Sequence, residues 1–199
     1  MTDKPILFVA GFGRCGTTMM MTMLDRGGFP VVGPPPAYEV DEMSPPAKPD
    51  LQWLRSCAGK AVKWIDPLNA RVSRNDMPVS PIIIHMDRAK RDMAASQVKF
   101  LSMLFPGAAT NDRRTRRLFE RSLIADAPIL HGYLNATGAV YSFTFEWVLR
   151  EPLAAAQKLA AIIRHEFDRD FDVTAAASVP LPRSHACAPG LSIEMSMLP

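Results

Sequence analysis

Between Pro5 and Gly28 the chain reads PILFVAGFGRCGTTMMMTMLDRGG, and this stretch restricts the fold more tightly than any other. Ile6 to Ala10 is an apolar run of strand length. Gly11, Gly13 and Gly16 follow at close intervals, and Thr17-Thr18 lead into helical periodicity. Met19, Met20, Met23 and Leu24 make one apolar face, and Gly27-Gly28 supply a helix stop. The pattern predicts a strand, a glycine turn and a helix from about Gly16 to Arg26.

A helix that begins straight after such a turn aims its unpaired N–H groups and the positive end of its dipole into the turn. Glycines let backbone approach an anion there, Thr17 and Thr18 add hydroxyls, and Arg14 adds a fixed charge with a planar fork of donors. The spacing Gly11-xxxx-Gly16-Thr17-Thr18 outlines a Walker A loop, but Thr17 stands where that motif has Lys. A phosphate site is expected, and an ordinary ATPase is disfavoured. Cys15 invites a cysteine-phosphatase reading, yet such enzymes carry an Arg six residues later and here that residue is Met21.

GFGRCGTT resembles the 5′-phosphosulfate-binding loop of sulfotransferases that use 3′-phosphoadenosine 5′-phosphosulfate (PAPS), with Arg14 at a position that is Lys in many members. The resemblance implies that Gly13, Arg14, Cys15, Gly16, Thr17 and Thr18 hold the 5′ end of the nucleotide. A second motif supports it. Pro81-Ile-Ile-Ile-His-Met reads as a strand, and Arg88-Ala-Lys-Arg-Asp-Met-Ala-Ala-Ser96 resembles the family's 3′-phosphate motif, which implies Arg88 and Ser96 on that phosphate. Eight residues apart on a continuous helix, the two would be ~12 Å apart; they converge only if Ala89 to Arg91 form part of a turn. The same strand ends in Asp87, which reads equally as the Mg²⁺ acid of a P-loop nucleotide or metabolite kinase. His85 is expected in the core rather than in catalysis.

Phe29 to Pro49 holds seven prolines and can be neither helix nor central strand, so it is an ordered irregular loop or a mobile lid. It carries Tyr38, Glu39, Asp41 and Glu42. By resemblance to the heparan-modifying sulfotransferases, Glu39 would be the general base, with Asp41 and Glu42 of the same loop as the alternatives. Asp50 predicts an N-cap for a helix from Leu51 to Ala58, stopped by Gly59. Lys60 to Ile65 predicts a second strand with Lys63 near its carboxyl end, and this resembles the Lys-Thr-His strand of cytosolic sulfotransferases, which implies a catalytic Lys63; no His follows. Arg113, Arg116 and Arg117, in a basic run from Asn111 to Arg121, would share a helix face suited to an acidic substrate or the nucleotide. Ala139 to Phe145 predicts the fourth strand, with Phe145 where the family has Tyr, followed by a helix to about Phe167.

The expected architecture is a single α/β domain, residues 1–173, with a parallel, P-loop-like sheet flanked by helices on both faces, and a loop-like tail over 174–199. Within the tail, Arg183 or the Ala188-Pro189-Gly190 turn could stand in for the segment with which some sulfotransferases close over the nucleotide. With 23 basic and 20 acidic side chains the net charge of +3 gives no reason to expect a nucleic-acid partner. No apolar run approaches the ~20 residues of a membrane span. Three scattered cysteines, Cys15, Cys57 and Cys187, suggest reduced thiols and a cytoplasmic location. The expected reaction moves a sulfuryl group from PAPS to a hydroxyl or amine of a small-molecule or glycan acceptor, releases PAP and needs no metal. The kinase and a non-catalytic nucleotide-binding module remain as alternatives.

Overall fold

In the computed structural model, residues 4–43, 49–69, 72, 74–77, 79–105 and 111–180 are described. Four strands, β1 (Leu7–Gly11), β2 (Ala61–Ile65), β3 (Ile82–Asp87) and β4 (Ala139–Thr144), form one sheet in the order β2-β1-β3-β4, and every pair is parallel. Parallel neighbours need crossover helices, and those cover the sheet, so its central strand must be apolar on both faces. All five residues of β1 are buried accordingly. The edge strand β4 is more open, with Phe143 its one buried residue.

Seven α-helices are present among the described residues: α1 (Thr17–Arg26), α2 (Leu51–Ser56), α3 (Lys90–Leu104), α4 (Arg113–Thr137), α5 (Phe145–Arg150), α6 (Pro152–Phe167) and α7 (Val173–Ala177). Side chains alternate across a strand, so the neighbours Lys63 and Trp64 report opposite faces of β2. Lys63 reaches Thr18 of α1, whereas the Trp64 ring lies 5.8 Å from Tyr133 of α4 and 5.0 Å from Phe8. Helices therefore cover both faces. Asp50 caps α2 through the N–H groups of Gln52 and Trp53, and Asp112 caps α4 through Thr115 N–H.

Several boundaries differ from expectation. α2 ends at Ser56, two residues early, because the amide of Cys57 already turns back to Trp53 and Leu54 carbonyls. β4 stops at Thr144, whose hydroxyl caps α5, so Phe145 opens a helix rather than closing a strand. The tail is not loop throughout: Asp172 caps α7, which packs on α1 and α6. Arg183 and Ala188-Pro189-Gly190 lie outside the described residues. Among those described, no helix is long and apolar enough to cross a membrane.

Candidate active site

β1 ends at Gly11, and the next five residues turn the chain into α1. Two residues make that turn in the left-handed region: Arg14 at φ 72° and Gly16 at φ 104°. Gly16 has no room for a side chain, since a Cβ would lie 2.6 Å from Phe145 Cδ2. Arg14 has a Cβ and adopts a positive φ nonetheless, a cost that a folded chain carries most often where backbone direction serves a site. Intrahelical bonding begins with Met20 N–H to Gly16 C=O, so the amides at the start of α1 face the turn.

Three cations gather here from three segments. Arg14 Nε donates to Ser96 Oγ at 3.2 Å, and its guanidinium lies 5.4 Å from the centroid of Phe100. Arg88, first residue after β3, donates from Nη1 to the Arg14 carbonyl at 3.2 Å and stacks 4.6 Å from the Phe145 centroid. Lys63 Nζ donates to Thr18 Oγ1 at 2.8 Å, Ala37 C=O at 2.8 Å and Glu39 Oε1 at 2.7 Å. Burial pushes the Lys63 ammonium below its ordinary pKa, against the opposing pull of Glu39. Lys63 is third of the five residues in β2, paired with Val9, and so sits further from the carboxyl edge than its sequence suggested.

α3 begins at Lys90, so only Arg88 and Ala89 bridge strand and helix, and Lys90 and Arg91, expected in a turn, already lie in the helix. The turn set as the condition for Arg88 and Ser96 to converge is therefore absent, and the two are linked through Arg14 instead, Arg88 to its carbonyl and Ser96 to its Nε. Gln97 Nε2 adds a bond to the Gly13 carbonyl at 2.8 Å, which fastens the turn to α3. Glu146 accepts from Ala89 N–H at 3.0 Å and fixes the Arg88 junction from the α5 side.

Cys15 plays a different part. Its side chain is 1% exposed, burial pushes the thiol up to about 12, and its amide donates to Phe12 C=O. Both of its groups turn inward, so it packs the turn. Asp87 accepts from Arg88 N–H and from Lys90 Nζ, so a basic side chain occupies the position that a Mg²⁺ acid would leave open. Among the described residues no three His, Cys, Asp or Glu side chains are placed to hold a metal ion. His85 is half-buried beside His131, ring centroids 6.2 Å apart, and burial lowers its pKa.

The proline segment is tied to α1 and β2 by contacts of Ala37, Tyr38 and Glu39. Tyr38 is buried at φ 56°, its hydroxyl donates to Asp25 Oδ2 at 2.9 Å, and its amide donates to Pro34 C=O at 2.9 Å. The arginine face is split: Arg116 turns back onto Asn111, while Arg113, Arg114, Arg117 and Arg121 line an open depression with Leu118. Sequence reasoning missed Gln97, Phe100 and Ala37, which act through one side-chain amide, one ring and one carbonyl. Phe145 was visible as a change from Tyr, but its place under Arg88 was not.

No protein-family profile matches the chain, and no curated protein matches it in sequence. Among solved structures it resembles a sulfotransferase from Alicyclobacillus acidocaldarius, with 16% identity and a TM-score of 0.56 over 87% of this chain and 86% of that one. It also resembles mouse sulfotransferase SULT7A1 complexed with PAP, with 13% identity and a TM-score of 0.54 over 90% of this chain. The match covers 63% of the mouse chain, less than two thirds of its length. At these identities the likeness is one of fold: the chain folds as solved sulfotransferases do.

Proposed function

We propose that this protein is a sulfotransferase that moves a sulfuryl group from PAPS to a hydroxyl or amine acceptor. The observation that carries this is the meeting of Arg14, Lys63 and Arg88 at the start of α1, with hydroxyls from Thr18 and Ser96 among them. Side-chain cations are grouped where a kinase relies on Mg²⁺ and a loop Lys. The donor set fits a nucleotide with an anion at each end of its ribose. Gly13, Arg14, Gly16, Thr17 and Thr18 would take the 5′ end, and Arg88 with Ser96 the 3′-phosphate. Cys15 supports the turn without touching the ligand.

Bound there, PAPS supplies the sulfuryl group and leaves as PAP. Glu39 takes the proton of the acceptor as the acceptor oxygen or nitrogen forms its bond to sulfur. Arg14 meets the negative charge that collects on the departing phosphate oxygen, an interaction strongest in the transition state. A small molecule or a glycan satisfies this chemistry equally.

Thermal unfolding with PAP, AMP, ADP and ATP, each with and without Mg²⁺, tests the donor class. A ligand bound only by the native state stabilises it by about 2.7 kcal/mol at a hundred times its Kd. PAP should raise Tm most, with no dependence on Mg²⁺. A larger shift with ATP, seen only when Mg²⁺ is present, would establish a kinase instead.

A further inference from the structure

We infer that Glu39 occupies Lys63 as a resident stand-in for the donor's anion, and that donor binding displaces it. This rests on the sulfotransferase reading, because it describes how that site is held before the donor arrives. An ammonium has three N–H donors, and those of Lys63 are matched by Thr18 Oγ1, Ala37 C=O and Glu39 Oε1. An incoming anion that takes a bond from Lys63 must therefore displace one of the three.

Glu39 is the partner that yields. The Lys63 side chain is 2% exposed, whereas that of Glu39 is 42% exposed, so the carboxylate can return to water at small cost while the ammonium cannot. Thr18 is the second residue of α1, so Lys63 stands at the helix start, where an anion both attracts the ammonium and repels the carboxylate. Only the side chain of Glu39 has to move. Tyr38 stays anchored through Asp25 and Pro34, and Ala37 keeps its bond to Lys63. The consequence is an order of events: the carboxylate is released to serve the acceptor once the loop holds its anion.

Calorimetric titration of PAP into the native protein, Glu39→Gln, Lys63→Met and the double variant tests this without any acceptor. Removing the resident charge should tighten PAP about fivefold or more, and Glu39→Ala should shift affinity in the same direction. In the Lys63→Met background the same Glu39 change should have no effect, since the cation for which the two anions compete is gone. Lys63→Gln replaces Lys63→Met should the latter fail to fold. Unchanged or weaker binding by Glu39→Gln overturns the inference, and so does an equal gain in the absence of Lys63, which would indicate long-range repulsion alone.

AMP and inorganic pyrophosphate serve as second and third probes. If PAP binds no better than AMP, the PAPS reading falls, yet the Glu39 effect is still read on the shared 5′-phosphate. Binding of none of the three overturns both.

Discussion

At the scale of single residues, the site consists of polar groups that are committed to one another, and Cys15 marks its inner limit. With the thiol pushed up to about 12 by burial, the thiolate at pH 8 is about one part in 10⁴. Cys57 is also buried, and burial raises its pKa as well. Iodoacetamide at pH 8, followed by peptide mapping, should leave Cys15 and Cys57 unmodified until denaturant is added. Labelling of native Cys15 at the rate of a free thiol would show that the turn opens and that a thiol faces the anion. The sequence pointed to Arg14 and Arg88 because each stands at a strand-to-helix junction, where side-chain type and position both carry information, and to Ser96, inside α3, only through its resemblance-based spacing from Arg88. It could not disclose that Arg14 joins the other two, since that contact depends on a positive φ at a residue with a Cβ.

At the scale of elements, the strand–turn–helix at the head of the chain was legible because its signals agree: an apolar run, glycines, then a 3.6-residue period. α4 was legible only at its start. The arginine run marks its N-terminus, but Pro128 inside the helix disguises its continuation to Thr137. The tethering of the proline segment was hidden as well, because it consists of Tyr38 reaching Asp25 and Lys63 reaching back from β2. Two substitutions separate the roles of the turn glycines. Gly16→Ala combines φ 104° with a Cβ 2.6 Å from Phe145, and should cost about 1 to 3 kcal/mol or more, read as a fall in Tm. Gly13→Ala meets nothing closer than 3.8 Å and should change stability by less than about 0.5 kcal/mol. Equal losses at both positions would show that neither the positive φ nor the contact with Phe145 sets Gly16 apart from Gly13.

The join between β4 and α6 gives a pH test. The Tyr141 hydroxyl donates to Glu166, and this hydrogen bond, with burial and the Glu166 charge behind it, raises the phenol from 10 to about 12. Above pH 10 the unfolded chain sheds this proton while the folded chain keeps it, so the folded state binds more protons and stability falls with rising pH. The stabilisation is complete below pH 10 and disappears by about 12. Denaturant titrations should show an alkaline loss that Tyr141→Phe lacks. An identical slope in both proteins would place the alkaline limb elsewhere.

At the scale of the whole molecule, a four-stranded parallel sheet brings residues distant in sequence together, with Arg14 and Arg88 contributed by the connections that follow β1 and β3 and Lys63 by the middle of β2. Helices on both faces follow from parallel crossovers once the strands are placed, which is why the layered architecture was legible, while the strand order β2-β1-β3-β4 was not.

The central claim is that the site discriminates a 3′-phosphate. Arg88 and Ser96 offer a charged fork and a hydroxyl, and hydrogen bonds to a charged group contribute ~1.5 to 3 kcal/mol each. Calorimetry in the presence of EDTA should therefore show PAP binding at least ~10-fold more tightly than AMP, with Arg88→Ala removing most of that preference and leaving AMP affinity nearly unchanged. Equal affinity of the native protein for PAP and AMP would contradict the account and leave Arg88 and Ser96 as supports of the turn alone.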